Sequence, residues 1–339
     1  DLNDPKTIAD FADLVQSPER LRLLLCLTVA DIRAVGPQVW NGWKAALLRE
    51  LYHLTEERIS GTSAPEVRAA RASGAVDALR EALADWPPEQ VEAHVARGHP
   101  RYWLAFDTET LVRHARMVRD AHSEARQLTV DTRVDSYHAV TEVTVYTPDH
   151  PGLFSRIAGA LAVSGATIVN ARINTFTDGM ALDVFWVQDA EGGAFDRPER
   201  LARLAVRIEQ SLAGKLRPAT ELEAEPALPR RTRIFTVPPR VLIDNAASRT
   251  YTVVEVNGRD RPGLLYDLTF ALTDLGLQIA NAKISTYGER VVDVFYVRDV
   301  FGMKVEHQGK LAQIRERLIP ILDKANNPPE RIGAAQAAE

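Results

Sequence analysis

Two short segments carry the residues best suited to hold a small polar ligand. They are Asp149-His150-Pro151-Gly152-Leu153-Phe154 and Asp260-Arg261-Pro262-Gly263-Leu264-Leu265, offset by 111 residues (149 to 260). Each stands between a strand-like run and a helical stripe, so the turn would bring a ligand to a helix N-terminus. Backbone N–H groups without a partner inside the helix accept a carboxylate there. The glycine lets backbone approach the ligand, and the Asp carboxylate would pair with an α-amino group. Asn170 and Asn281, at matching places on the following strand, each add an amide. Val169, Ala171 and Ile173 form that strand's buried face, which turns Asn170 the other way. This is the chemistry of a site for a free amino acid, present twice. Each part also has a local reading: Asp and Pro start a helix, Gly makes a turn, and Asn is a solvated strand residue.

The elements around these turns recur in the same order. Ala160-Leu161 matches Ala271-Leu272, Gly165 matches Gly276, and Thr175 matches Thr286. After one residue is lost in a turn, Asp183, Phe185, Val187, Asp189 and Gly192 match Asp293, Phe295, Val297, Asp299 and Gly302. The last helices share a stripe, with Leu201, Leu204, Ile208 and Leu212 against Leu311, Ile314, Leu318 and Leu322. The unit reads strand, helix, strand, strand, helix, which is most of a ferredoxin-like βαββαβ module. The first module is placed at 137–214 and the second at 249–325, with a Pro-rich linker at 215–231. Two extended runs follow the linker, at 233–237 and 240–244. The first module's fourth strand is expected within 231–245; the second module either lacks one or borrows the other run. A disordered tail is expected at 326–339.

Upstream, 1–130 reads as helices throughout. Ser17-Pro18-Glu19 starts one whose segment Leu21–Ala30 is apolar on nearly every side, which predicts a helix inside a bundle with Cys26 in the core. Gly36-Pro37 would end it. The next helix runs to Ile59 with Trp40, Trp43, Leu47, Leu51 and Leu54 on one stripe. Further helices are expected near 65–83, 87–96 and 108–125, the last exposing His114 and His122. The fold class is therefore α+β, an N-terminal all-α region followed by two ferredoxin-like modules.

Lys plus Arg number 41 against 46 Asp plus Glu, a net charge of −5 with no basic block, which argues against nucleic acid as a partner. Leu21–Ala30 is far short of the ~20 residues a bilayer needs. With a single cysteine there is no disulfide framework or multi-cysteine zinc site, and a cytoplasmic location is expected. No common nucleotide-binding glycine loop occurs. The chain starts with Asp1, not Met, which suggests a piece of something longer.

Strand, Asp-x-Pro-Gly-Leu, helix and a second strand with Asn resemble the ACT domain, a regulatory module that typically binds amino acids and pairs side by side. The helical region resembles the bifunctional uridylyltransferase/uridylyl-removing enzymes of bacterial nitrogen control. The match runs through Leu25-Cys26-Leu27-Thr28-Val29-Ala30-Asp31-Ile32, the segment Trp40 to Tyr52, and His99-Pro100-Arg101-Tyr102-Trp103-Leu104-Ala105-Phe106. That resemblance implies a nucleotidyltransferase domain, an HD phosphohydrolase domain and two ACT modules. It also implies uridylylation and de-uridylylation of the PII signalling protein with Mg²⁺ or Mn²⁺, and L-glutamine as the signal. The transferase signature and every His-Asp dipeptide are missing from this sequence. Asp31 matches the family's last HD aspartate but lacks its partners, so this segment is expected to be inactive alone. The resemblance leaves two alternatives open, an HD-type phosphodiesterase fragment and an ACT pair used only for self-association.

Overall fold

A computed structural model describes residues 5–35, 42–59, 64–224, 237–248, 250–284, 286–287 and 290–326. The helical region comprises α1 (Pro5–Val15), α2 (Pro18–Val35), α3 (Gly42–Ile59), α4 (Ala64–Ala82), α5 (Pro88–Val95), α6 (Pro100–Ala105) and α7 (Thr108–Ser123). Its helix starts follow the local chemistry. The Ser17 hydroxyl accepts the Arg20 N–H at 3.2 Å, and the Asp107 carboxylate accepts that of Thr110 at 2.8 Å. Caps of this kind stabilise a helix by about 1 kcal/mol. Leu47, Leu51 and Leu54 fall on one face of α3 and pack on Ile8 of α1. Leu111, Ala115, Val118 and Ala121 form the buried stripe of α7.

Helix α2 departs from expectation. Leu21 is buried, yet Leu23, Leu24 and Leu27 are 58%, 40% and 67% exposed, and Cys26 is exposed too. The helix packs mainly on α3 and less on α1. Its apolar composition does not place it inside a bundle. The expected end at Gly36-Pro37, and Trp40, lie outside the described residues. His114 is likewise buried and not exposed.

The remainder contains β1 (Thr129–Asp135), β2 (Val140–Pro148), α8 (Leu153–Val163), β3 (Thr167–Arg172), β4 (Met180–Gln188) and α9 (Pro198–Leu212). After α10 (Pro218–Ala224) and β5 (Arg240–Asp244) come β6 (Thr252–Arg259), α11 (Leu264–Asp274), β7 (Leu277–Lys283), β8 (Thr286–Tyr287), β9 (Arg290–Asp299) and α12 (Gln308–Asn326). Two sheets result, ordered β1-β2-β4-β3 and β5-β6-β9-β7, with β8 on β9.

The fourth strand of each module precedes it. Segment 240–244, one of the two runs offered for a fourth strand, pairs antiparallel with β6 in the second module, Leu242 opposite Glu255, so the second module borrows a run and does not lack a strand. The first module takes β1, Thr132 opposite Val143. A short hairpin turn makes that pairing local: Asp135 accepts the His138 N–H at 3.0 Å, and a short loop costs less closure entropy than one spanning the linker. The other extended run, 233–237, lies almost wholly outside the described residues, as does the tail from 327.

The chain divides into two compact units, one of residues 1–149, 173–184 and 246–250, the other of 150–172, 185–245 and 251–339. Equivalent residues of the two modules are fully buried: Ile157 and Leu268, Leu161 and Leu272, Phe185 and Phe295, Leu204 and Ile314, Ile208 and Leu318. Among the described residues no helix is long and apolar enough to cross a membrane.

Candidate functional site

The recurring motif folds as the same turn twice. The Leu153 N–H bonds the His150 carbonyl at 3.1 Å, and the Leu264 N–H bonds that of Arg261 at 3.1 Å. Gly152 has φ 84°, ψ 3° and Gly263 φ 76°, ψ 1°. Proline followed by a left-handed glycine is a type II turn, a conformation that disfavours any residue with a Cβ at the glycine position. Pro151 and Pro262 therefore belong to the turn and not to the helix's first turn. Glycine stands at the N-cap of α8 and of α11, with no side-chain cap, so neither Asp149 nor Asp260 caps its helix. The first i→i−4 bond of α8 runs from the Arg156 N–H to the Gly152 carbonyl. The amides of Phe154 and Ser155 thus point out of the helix end, as donors for an anion.

Asp149 is exposed and anchored. Its N–H donates to the Gly179 carbonyl at 3.0 Å, and its carboxylate accepts the Thr175 hydroxyl at 2.8 Å. The loop that supplies these partners is itself fixed. Phe176, 3% exposed, stands edge-on to His94 and Tyr102. The Thr177 N–H and hydroxyl donate to the carbonyls of Arg97 and Ala96 at 3.0 and 3.1 Å. Arg97 pairs with Asp178 at 2.9 Å. His150 is exposed within the turn.

Asn170 is not turned to solvent. It is 4% exposed, and its amide nitrogen has no hydrogen-bond partner among the described residues. A buried donor left unpaired costs on the order of 1–3 kcal/mol. Asn281 is half-buried on β7, just after a bulge, and β3 lies against β7.

The second turn has different surroundings. Burial pushes the Asp260 carboxyl up from its ordinary range. Arg261 folds back to pair with Asp267 and reaches the carbonyls of Pro262 at 3.3 Å and Ile321 at 3.5 Å, so it faces its own module and not a ligand. Leu264 is buried and Leu265 half-buried beneath the turn, as Leu153 and Phe154 are buried beneath the first.

Sequence reasoning gave no role to Asp183 or Asp293, matched strand residues that are 1% and 2% exposed. Burial pushes the Asp183 carboxyl well up, and its oxygen accepts the Asn174 N–H at 3.3 Å. The signal was present: an identical acid in both copies, set between apolar strand residues.

Asp31 lies exposed within α2. Among the described residues no group of three or more His, Cys, Asp or Glu is arranged to hold a metal. A lone carboxylate does not make a site for Mg²⁺ or Mn²⁺, which take about six oxygen ligands.

Residues 247–322 match the ACR family N-terminal ACT domain. The chain is 63% identical over 324 residues to the bifunctional uridylyltransferase/uridylyl-removing enzyme of Azospirillum brasilense, covering 95% of this chain and 35% of that protein. Enzymes of the same name from Rhodospirillum rubrum and Gluconobacter oxydans are 52% and 53% identical, over 100% and 96% of this chain and 36% and 35% of theirs. The chain thus spans about a third of the length of the curated relatives it matches. Among solved structures, an aspartate kinase from Synechocystis aligns at 16% identity and a TM-score of 0.32, covering 55% of this chain and 27% of that one. That likeness is too distant to carry weight.

Proposed function

We propose that this chain is the amino-acid-sensing segment of a cytoplasmic bifunctional uridylyltransferase/uridylyl-removing enzyme, and that L-glutamine is the amino acid sensed. The observation that carries the reading is the buried, unpartnered amide of Asn170, in the same compact unit as a type II turn that opens the N-terminus of α8. The ligand carboxylate would take the free amides of Phe154 and Ser155, where the helix dipole favours negative charge. The Asn170 amide nitrogen would donate to the ligand's side-chain carbonyl.

Sensing requires that glutamine bind two states of the parent with different affinity, because equal affinity shifts nothing. In this reading the parent adds uridylyl groups to the PII protein when glutamine is scarce and removes them when it is abundant. The Mg²⁺ or Mn²⁺ implied by the resemblance serves domains outside this chain. The full-length parent tests the proposal. Release of uridylyl groups from modified PII should rise with glutamine, and Asn170→Ala should shift the half-maximal concentration upward with the maximal rate unchanged. An unshifted curve would remove Asn170 from the sensor.

A further inference from the structure

We infer that the hairpin between β3 and β4 is a latch on the helical region, and that the first module passes its ligand signal through the opening and closing of this latch. The inference rests on the amino-acid reading above and adds the route by which binding is felt outside the module.

The tip of the hairpin is a tight turn with a specific grip. The Gly179 N–H bonds the Phe176 carbonyl at 3.0 Å and the Phe176 N–H bonds that of Met180 at 2.7 Å, with Gly179 at φ 81°. Thr177 and Asp178 stand at the end of this turn. Both donors of Thr177 fall on the carbonyls of Ala96 and Arg97, just past the end of α5, and Asp178 pairs with Arg97. The backbone that offers these carbonyls is held in turn. A Cβ at Gly98 would stand 2.2 Å from the Trp103 ring, so only glycine lets the chain lie against that indole. The base of the hairpin belongs to the ligand-bearing part of the module. Strand β3, which carries Asn170, runs directly into it. Asp149, the residue before the first turn, accepts the Thr175 hydroxyl and donates its N–H to the Gly179 carbonyl.

Two observations mark the hairpin as an element with a second state. The first is that the closed latch leaves buried polar atoms unpaired. Neither ring nitrogen of His94 nor the Tyr146 hydroxyl has a hydrogen-bond partner among the described residues, although these residues are 2% and 1% exposed. Their rings flank Phe176 at 6.3 and 6.4 Å between centroids, and the charges of Arg97 and Asp178 reach both. Lifting Phe176 would admit water to these atoms and return the hydrogen bonds they lack. The closed state is held by one aromatic ring, a few hydrogen bonds at exposed Thr177 and a partly exposed ion pair, which is the make-up of a segment that opens locally. The second observation lies in the repeat. Its offset is 111 up to Thr175 and Thr286 and 110 from Asp183 and Asp293, so the two copies change length at this turn alone, where 177–180 stands against 288–290. The first module has one residue more than its duplicate at the place where it grips Arg97. A ligand that binds the open and closed forms with different affinity would then move the latch.

The test biases the latch in opposite senses with substitutions that conserve shape and touch no ligand group. Tyr146→Phe removes the unpaired hydroxyl and His94→Phe the unpaired ring nitrogens, so both should favour the closed form. Thr177→Val removes the bond to the Ala96 carbonyl and should favour the open form. In hydrogen exchange on the whole chain, the amides of Asp149, Phe176 and Thr177 should exchange through one shared opening. Each of the first two substitutions should slow it about tenfold, and Thr177→Val should speed it about fivefold. In the full-length parent, the glutamine concentration for half-maximal uridylyl release should move one way in the first two variants and the other way in the third. Exchange that does not respond to these substitutions overturns the latch, and midpoints that stay fixed or all move together overturn the coupling. A wild-type parent that ignores glutamine would instead overturn the amino-acid reading and the coupling with it, while exchange would still decide whether the hairpin opens.

Discussion

His94 links the interior of the helical region to pH with a size and sign that can be worked out. It is 2% exposed, and neither ring nitrogen has a hydrogen-bond partner among the described residues. Its neighbours are apolar faces and edges, the Trp103 ring at 5.8 Å and Phe176 at 6.3 Å between centroids. Burial is the main reason its pKa falls from 6.5 to about 4; Arg97 and His122 lower it further, and Asp178 opposes them. The unfolded chain therefore takes up this proton at a pH where the folded chain refuses it. The associated stability is complete above pH 6.5 and is lost as pH falls toward 4. At pH ~4.5 the loss amounts to about 2.5 kcal/mol. His94→Phe keeps a ring in the pocket, breaks no hydrogen bond and removes the titration. Urea unfolding followed by tryptophan fluorescence, at pH ~7.5 and ~4.5, should show the wild type losing about 2.5 kcal/mol more than the variant. His114, whose pKa burial pushes down to about 3, titrates in both proteins; the charge of His94 is the smallest cause of that shift and is missing from the variant, so most of the His114 contribution cancels from the difference. Equal acid losses would refute the claim that an uncompensated buried imidazole governs this pocket.

Two further outcomes follow from other buried groups. Phe176→Ala should cost about 3–5 kcal/mol by denaturant titration, and Phe176→Leu well under half of that, because leucine fills most of the space; a cost below about 1 kcal/mol for alanine would mean that the loop is not held by this ring. Asp183 has the opposite pH sign from His94. Its carboxyl is raised well above 3.8, so the folded state holds the proton more tightly and stability falls as pH climbs past that value. Asp183→Asn retains the acceptor for the Asn174 N–H, and it should be more stable than wild type near neutrality and flatter with pH, as melting temperatures across pH would show. A variant less stable at pH ~7 would contradict this.

Periodicity exposed the repeat because each module must bury the same stripe, and matched residues from Ile157 and Leu268 to Ile208 and Leu318 are fully buried. It also located most helices, whose starts depend on near neighbours such as Ser17 and Asp107. Partnership was less legible. Leu23 and Leu27 are as apolar as core leucines, and only the neighbours of α2 determine that they are exposed. The first module's fourth strand was expected within 231–245 because alternation marks a strand without naming its mate; the hairpin at Asp135 and His138 supplies β1 instead, and the second module takes 240–244, one of the two outcomes left open. At the site, spacing singled out the turns and the asparagines. The burial of Asn170, the folding back of Arg261 and the docking of Phe176 beside His94 depend on residues far along the chain, which no local pattern announces.

The central claim is that this chain binds a free amino acid and prefers glutamine. Isothermal titration of the folded chain with L-glutamine, with glutamate and serine as comparisons, tests it most directly. Saturable heat with glutamine, much weaker responses to glutamate and serine, and a marked loss of affinity in Asn170→Ala are the predicted results. A folded chain that gives no heat with glutamine, or the same heat with all three amino acids, would contradict the account.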